Sequence, residues 1–296
     1  MANAVRPLGL FRNLNAKIAA IPMVLTVIVV FVGCTLWTVI YSFTDSRLLP
    51  SSNFVGLAQY QRLWGTDRWN ISIGNLATYG ILSLVFAFVV GFFLAVLMDQ
   101  KIRFENTFRT IFLYPFALSF IVTGLVWQWI LDPALGLPKL MQDMGLTSFN
   151  FALLGNQKTV LYALVIAGLW QGTGLVMVLM LAGLRGIDGE IWKASRVDGI
   201  PAWRTYIFVV IPMMRGVFVT TLVIVASGIV RVYDLVVAMT SGGPGFASEM
   251  PAKYVYDFMF QRSNLGQALS ASTVMLVTVF IFVVPWALIE FRQKRR

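Results

Sequence analysis

The chain contains no histidine, and its single cysteine, Cys34, lies inside an apolar run. That composition excludes an imidazole base, a histidine-ligated metal, a histidine-based triad and an intrachain disulfide. No paired carboxylates or acidic clusters stand where they could run acid–base chemistry. A Gly-x-x-x-x-Gly-Lys-Ser/Thr phosphate loop is also missing, so the chain does not itself hydrolyse ATP. What remains are polar groups within otherwise apolar stretches: Gln171 and Thr173, then Ser227, Arg231 and Asp234. A charge at the centre of a bilayer costs about 2.5–3.5 kcal/mol on insertion scales, so such groups are candidates for contact with a solute. Arg231 and Asp234 are three residues apart, a spacing that pairs them on one helix face. Two readings of Arg231 stand. Counting about 19 residues, or roughly 28 Å, from Pro212 puts it near the outer interface, as a snorkelling or structural charge. Alternatively it touches or gates a solute, and then favours an anionic one.

These residues sit in a membrane chain. Of 296 residues 58% are hydrophobic and 12% charged, with a mean hydropathy of +0.78; a soluble domain is about a quarter charged. Apolar stretches of spanning length run at 18–44, 69–98, 110–131, 159–184 and 263–289. A sixth, at 207–239, is interrupted by Arg215 and Arg231. The expected fold is all-α, with six transmembrane helices in one domain over 18–290, a tail at 1–17 and a basic tail at 291–296. Alternate loops carry fourteen Lys and Arg against seven, which puts both termini in the cytoplasm. The net charge of +10 is split into short clusters between apolar runs, which argues against nucleic acid and for a lipid boundary. Gly168-x-x-x-Gly172, extended by Gly174, suits close helix packing. Trp127, Trp129 and Trp170 read as interfacial anchors or as stacking surfaces.

The most polar stretch is the loop at 185–206. Asp188 caps a short helix beginning near Gly189, and Gly199 with Pro201 ends it. A second helix follows from Pro201 and runs into the membrane through Pro212. The short helix is either an amphipathic interfacial element or a docking helix for a soluble partner.

The loop resembles the signature of binding-protein-dependent ABC importer permeases, a Glu-Ala-Ala, three residues, Gly, then nine residues before Ile-x-Leu-Pro. Ala194 and Ser195 take the small positions, Asp198-Gly199 the central pair and Pro212 the closing proline, with Lys193 in place of the glutamate. Tyr233-Asp234 followed by Thr240-Ser-Gly242-Gly243-Pro244 resembles the end of the fifth span in the sugar branch, which covers maltose, α-glucoside and glycerol-phosphate permeases. Asn264-Leu-Gly266-Gln-Ala268 resembles that branch's entry to its last helix. The resemblance implies a coupling helix between the fourth and fifth spans, seated in an ATPase subunit, and a sugar as the solute. An anionic sugar derivative or glycerol phosphate is the alternative. It also implies a heterodimer with a second permease, two ATPase subunits holding ATP and magnesium, an external solute-binding protein, and a bacterial inner-membrane location. A membrane enzyme and an ion-coupled carrier are the competing classes. The first lacks catalytic clusters, and the second lacks repeat symmetry and buried acids.

Overall fold

The computed structural model describes residues 14–100, 102–145 and 152–294. Most of the tail expected at 1–17 and the last two residues of the tail at 291–296 lie outside the described residues. Among the described residues the fold is helical, with one isolated antiparallel bridge between Thr44 and Phe54. In chain order the helices are α1 (Ile18–Tyr41), α2 (Ala58–Trp64), α3 (Asp67–Asp99), α4 (Glu105–Ala117), α5 (Phe120–Ile130) and α6 (Leu137–Asp143). They continue with α7 (Val160–Arg185), α8 (Gly189–Val197), α9 (Ala202–Met213), α10 (Arg215–Val230), α11 (Asp234–Met239), α12 (Pro251–Tyr256) and α13 (Leu265–Lys294).

Four of these, α1, α3, α7 and α13, are long and apolar enough to cross a membrane alone. The expected third and fifth spans are not single helices. The third is α4 and α5, bent by 99°; the fifth is α9 and α10, bent by 71°. Counting each bent pair as one span gives six. The second helix of the loop does run through Pro212, and the chain then turns at Met214, whose ψ of 7° leaves the helical region. The apolar run to Met239 also ends early, at Val230, and resumes as the separate α11.

The centre is the pair α3 and α7. In lipid no hydrophobic effect drives helices together, so they associate where small residues let backbones approach. On α3 the buried Ser83, Ala87, Gly91 and Ala95 recur every fourth residue and form such a stripe. A Cβ on Gly91 would lie 2.7 Å from Val176 of α7. On the other side of α7, a Cβ on Gly174 would lie 2.0 Å from the Phe112 carbonyl oxygen of α4. Gly174→Ala is therefore expected to force α4 and α7 apart and to cost about 1–3 kcal/mol, read as a lower melting temperature of the purified chain. An unshifted transition would show that the crossing is looser than this.

One core fills the space between α3 and α7 toward the loop, with Met98, Met177, Met180, Leu184 and Met214. A second, toward the opposite end, joins Tyr79, Leu164, Leu235 and Met250. By contrast, no residue of α1 is buried.

Candidate functional site

Three assemblies of polar residues stand out. The first is the loop. Asp188 Oδ1 accepts from the Glu190 amide at 3.0 Å and starts α8. At its end the Ile200 amide donates to the Ser195 carbonyl at 3.0 Å and the Gly199 amide to that of Arg196 at 3.2 Å. This double closure needs a left-handed residue between them, and Gly199 supplies it at φ +66°. Trp192 packs edge-on against Tyr206, and the Ser195 hydroxyl bonds that of Thr205, so α8 is fixed to α9. Ala194, Val197, Ile200 and Trp203 are left exposed on the outside. Lys193 is also exposed and bonds Glu190 at 2.8 Å. Next to the loop, Arg185 donates to Glu105 at 2.6 Å and to the Met98 carbonyl at 3.3 Å, joining the ends of α3, α4 and α7.

The second assembly is a cavity of about 330 Å³ between α3, α7 and α10, bounded by the breaks at Phe116–Phe120 and Arg231–Asp234. Its polar lining is Tyr79, Ser83, Arg231, Tyr233 and Asp234. Arg231 and Asp234 are both exposed. They do not pair on one helix face as the spacing predicts, because the helix stops between them. Arg231 Nε donates instead to the Ser227 carbonyl at 3.2 Å, and neither residue makes an ion pair among the described residues.

The other intramembrane candidates do not line this cavity. Gln171 is buried, and its Nε2 donates at 2.7 Å to the carbonyl of Leu118, the residue at which α4 breaks from α5. A broken helix in lipid must have its freed carbonyls satisfied internally, and Gln171 does this. Thr173 Oγ1 bonds the Leu169 carbonyl of its own helix at 2.6 Å.

The third assembly lies at the end opposite the loop. Arg68, at the start of α3, donates to Glu249 at 2.6 Å and also to Asp257. Lys253 donates to Asp257 at 2.7 Å. Arg68, Glu249 and Asp257 are all buried, so the four side chains form a neutral, desolvated cluster. Burial pushes the Glu249 carboxyl up, against the opposing pull of Arg68. Asp257 lies low despite its burial, because Lys253 and Arg68 both donate to it. The residues Thr240, Gly242, Gly243 and Pro244 shape the loop that carries Glu249. Thr240 Oγ1 bonds Ser248 at 2.8 Å, Ser248 Oγ donates to the Gly243 carbonyl at 2.7 Å, and Gly243-Pro244 is cis. Gly242 has φ +86°, and a Cβ there would lie 2.6 Å from Glu249 Oε2.

Residues 87–294 match the family described as the inner membrane component of binding-protein-dependent transport systems. The chain belongs to that family of ABC transporter permeases. A probable ABC transporter permease of Pyrococcus horikoshii is 32% identical over 278 residues, 93% of this chain and 95% of its own length. The xylose/arabinose import permease protein XacH of Haloferax volcanii is 28% identical over 283 residues, 94% of this chain and 88% of its own. A bacterial ABC transporter that imports the acidic polysaccharide alginate shares the fold, with a TM-score of 0.82 over 95% of this chain and 96% of that one, at 17% identity.

The permease is thus a multi-pass inner-membrane component of a transport system rather than an enzyme. Its fold brings Arg231 and Asp234 to one cavity and assigns Gln171 and Thr173 to the helix framework. Sequence reasoning does not reach Tyr79 and Ser83, although a signal was present. Two hydroxyls four residues apart, in the middle of an apolar span, lie on one helix face. The cluster around Arg68 is not visible in sequence, because its members are up to 189 residues apart.

Proposed function

We propose that this permease carries a sugar across the membrane in an ATP-driven importer, through the cavity at Tyr79, Arg231 and Asp234. The observation that carries the reading is the pairing of two opposite, unbridged charges with hydroxyls in an otherwise apolar wall. A neutral polyhydroxylated solute can accept a hydrogen bond from Arg231 and donate one to Asp234 without a net electrostatic cost, whereas an anion would use Arg231 alone. Sugar-importing relatives such as XacH support the same solute class.

In this reading α8 docks on an ATPase subunit through its exposed Ala194, Val197 and Trp203 side. That partner binds ATP and magnesium, and this chain binds neither. A second permease, a second ATPase subunit and an external solute-binding protein complete the assembly. Both termini face the cytoplasm, consistent with the basic residues gathered at the loop end. The docking surface leads through α9 into α10, whose far end at Val230 adjoins Arg231, so movement of the loop reaches the cavity along one continuous stretch of chain.

The test is uptake of a labelled sugar panel by the assembled transporter. Arg231→Gln and Asp234→Asn are each expected to reduce uptake about tenfold or more, the worth of a hydrogen bond to a charged group. Loss in Arg231→Gln alone would favour the anionic sugar derivative. Unchanged uptake in both would remove the cavity from the path. Affinity purification of the chain is expected to recover a P-loop ATPase and a second permease, and its isolation alone would overturn the docking assignment.

A further inference from the structure

We propose that the cavity admits a polyhydroxylated solute one ring wide, with Ser83 as a hydrogen-bonding group and Gly172 and Gly228 as the residues that set its width. This rests on the cavity being the solute path. Ser83 is 6% exposed and lines the cavity, and its hydroxyl lies against that of Tyr79. Each hydroxyl of such a pair keeps donor or acceptor capacity for a solute hydroxyl. Tyr79, one turn earlier on the same face, brings a second hydroxyl to the wall.

The glycines of this wall are of two kinds. Gly168 is demanded by packing, since its Cβ would lie 2.4 Å from the Tyr79 hydroxyl. Gly172 of α7 and Gly228 of α10 are not: a Cβ on either would meet nothing within 4 Å, and neither has a positive φ. Glycine inside a helix costs roughly 0.5–1 kcal/mol relative to alanine. Neither packing nor backbone geometry explains that cost at these two positions. Both face the cavity, so what their bareness preserves is space. The volume of about 330 Å³ is already near the lower end of the roughly 300–1,000 Å³ typical of small-molecule sites. The rings of Phe116, Phe120 and Tyr233 provide flat surfaces for the apolar faces of a sugar.

The experiment measures cavity width independently of what is transported. In the assembled transporter carrying Cys34→Ser, the substitution Ser83→Cys places a single thiol on the wall. Its labelling by methyl methanethiosulfonate is compared with that by benzyl methanethiosulfonate, in membranes permeable to both. Adding Gly172→Leu or Gly228→Leu is expected to slow the benzyl reagent about tenfold or more relative to the methyl reagent, the discrimination a tight apolar pocket reaches. Gly172→Ala and Gly228→Ala, which clash with nothing, give the same order with a smaller effect and guard against misfolding of the leucine variants. If both reagents slow alike, or neither slows, the glycines do not set the width. The path assignment fails separately, through unchanged uptake in Arg231→Gln and Asp234→Asn.

Discussion

Gly199→Val is expected to lower uptake and solute-stimulated ATP hydrolysis in the assembled transporter by roughly 5–30-fold, while Gly199→Asn keeps most of both. The reason is conformational and not steric. A Cβ at 199 would meet nothing within 4 Å, but the residue sits at φ +66°. Asparagine visits the left-handed region readily, whereas a β-branched residue there is a true outlier. A penalty of about 1–2 kcal/mol shifts the closed turn against its alternatives by a factor of roughly 5–30. The turn fixes the direction of the chain between Val197, 86% exposed, and Trp203, 56% exposed. Opening it separates the two halves of the surface assigned to the ATPase. The amount of chain in the membrane should stay near normal, because α8 has no buried residue. Full activity in Gly199→Val would show that the turn does not transmit force. Loss in both variants would mean that a partner approaches the bare Cα itself.

The legible parts of the protein were those set by local rules. The apolar runs at 69–98, 159–184 and 263–289 match α3, α7 and the spanning part of α13 to within a few residues, because lipid demands an uninterrupted helix of that length. The capped helix after Asp188 and its glycine stop were legible for the same reason: each is decided within a few residues. Breaks were harder. The local marks of the 99° bend are only Pro115 and Ser119, whose Oγ accepts from the Val122 amide at 3.4 Å, and the break is also supported from outside, with Gln171 donating to the Leu118 carbonyl from 53 residues away. A glutamine in a span therefore reads as a solute contact until its partner is known. The placement of Arg231 turned on the same point. Counting residues from Pro212 assumes a straight helix, and the chain turns at Met214 and stops at Val230. The motif at Thr240–Pro244 was visible as a pattern, while its local use, shaping the loop that holds Glu249 against Arg68, emerged only with the fold.

Arg68→Met is expected to cost about 3–5 kcal/mol of stability, the usual loss when one partner of a buried ion pair is removed. Arg68 is 8% exposed, Glu249 1% and Asp257 5%, so water cannot replace the lost guanidinium. Lys253 still reaches Asp257 at 2.7 Å but stands 3.8 Å from Glu249, so Glu249 bears most of the loss. Its carboxyl is already raised by burial and rises further without Arg68. An acid whose folded pKa lies above its unfolded value leaves stability intact below the unfolded value and loses it as pH rises toward the folded one. The deficit of Arg68→Met should therefore be larger at pH 8 than at pH 5. Arg68→Met combined with Glu249→Gln removes the stranded charge and should recover a large part of the loss at pH 8, and much less at pH 5. Thermal unfolding of the purified chain in lipid nanodiscs at both pH values measures each quantity. A pH-independent deficit, or a double variant no better than the single one, would show that Arg68 stabilises through its stacking on Phe246 at 4.9 Å rather than by neutralising Glu249.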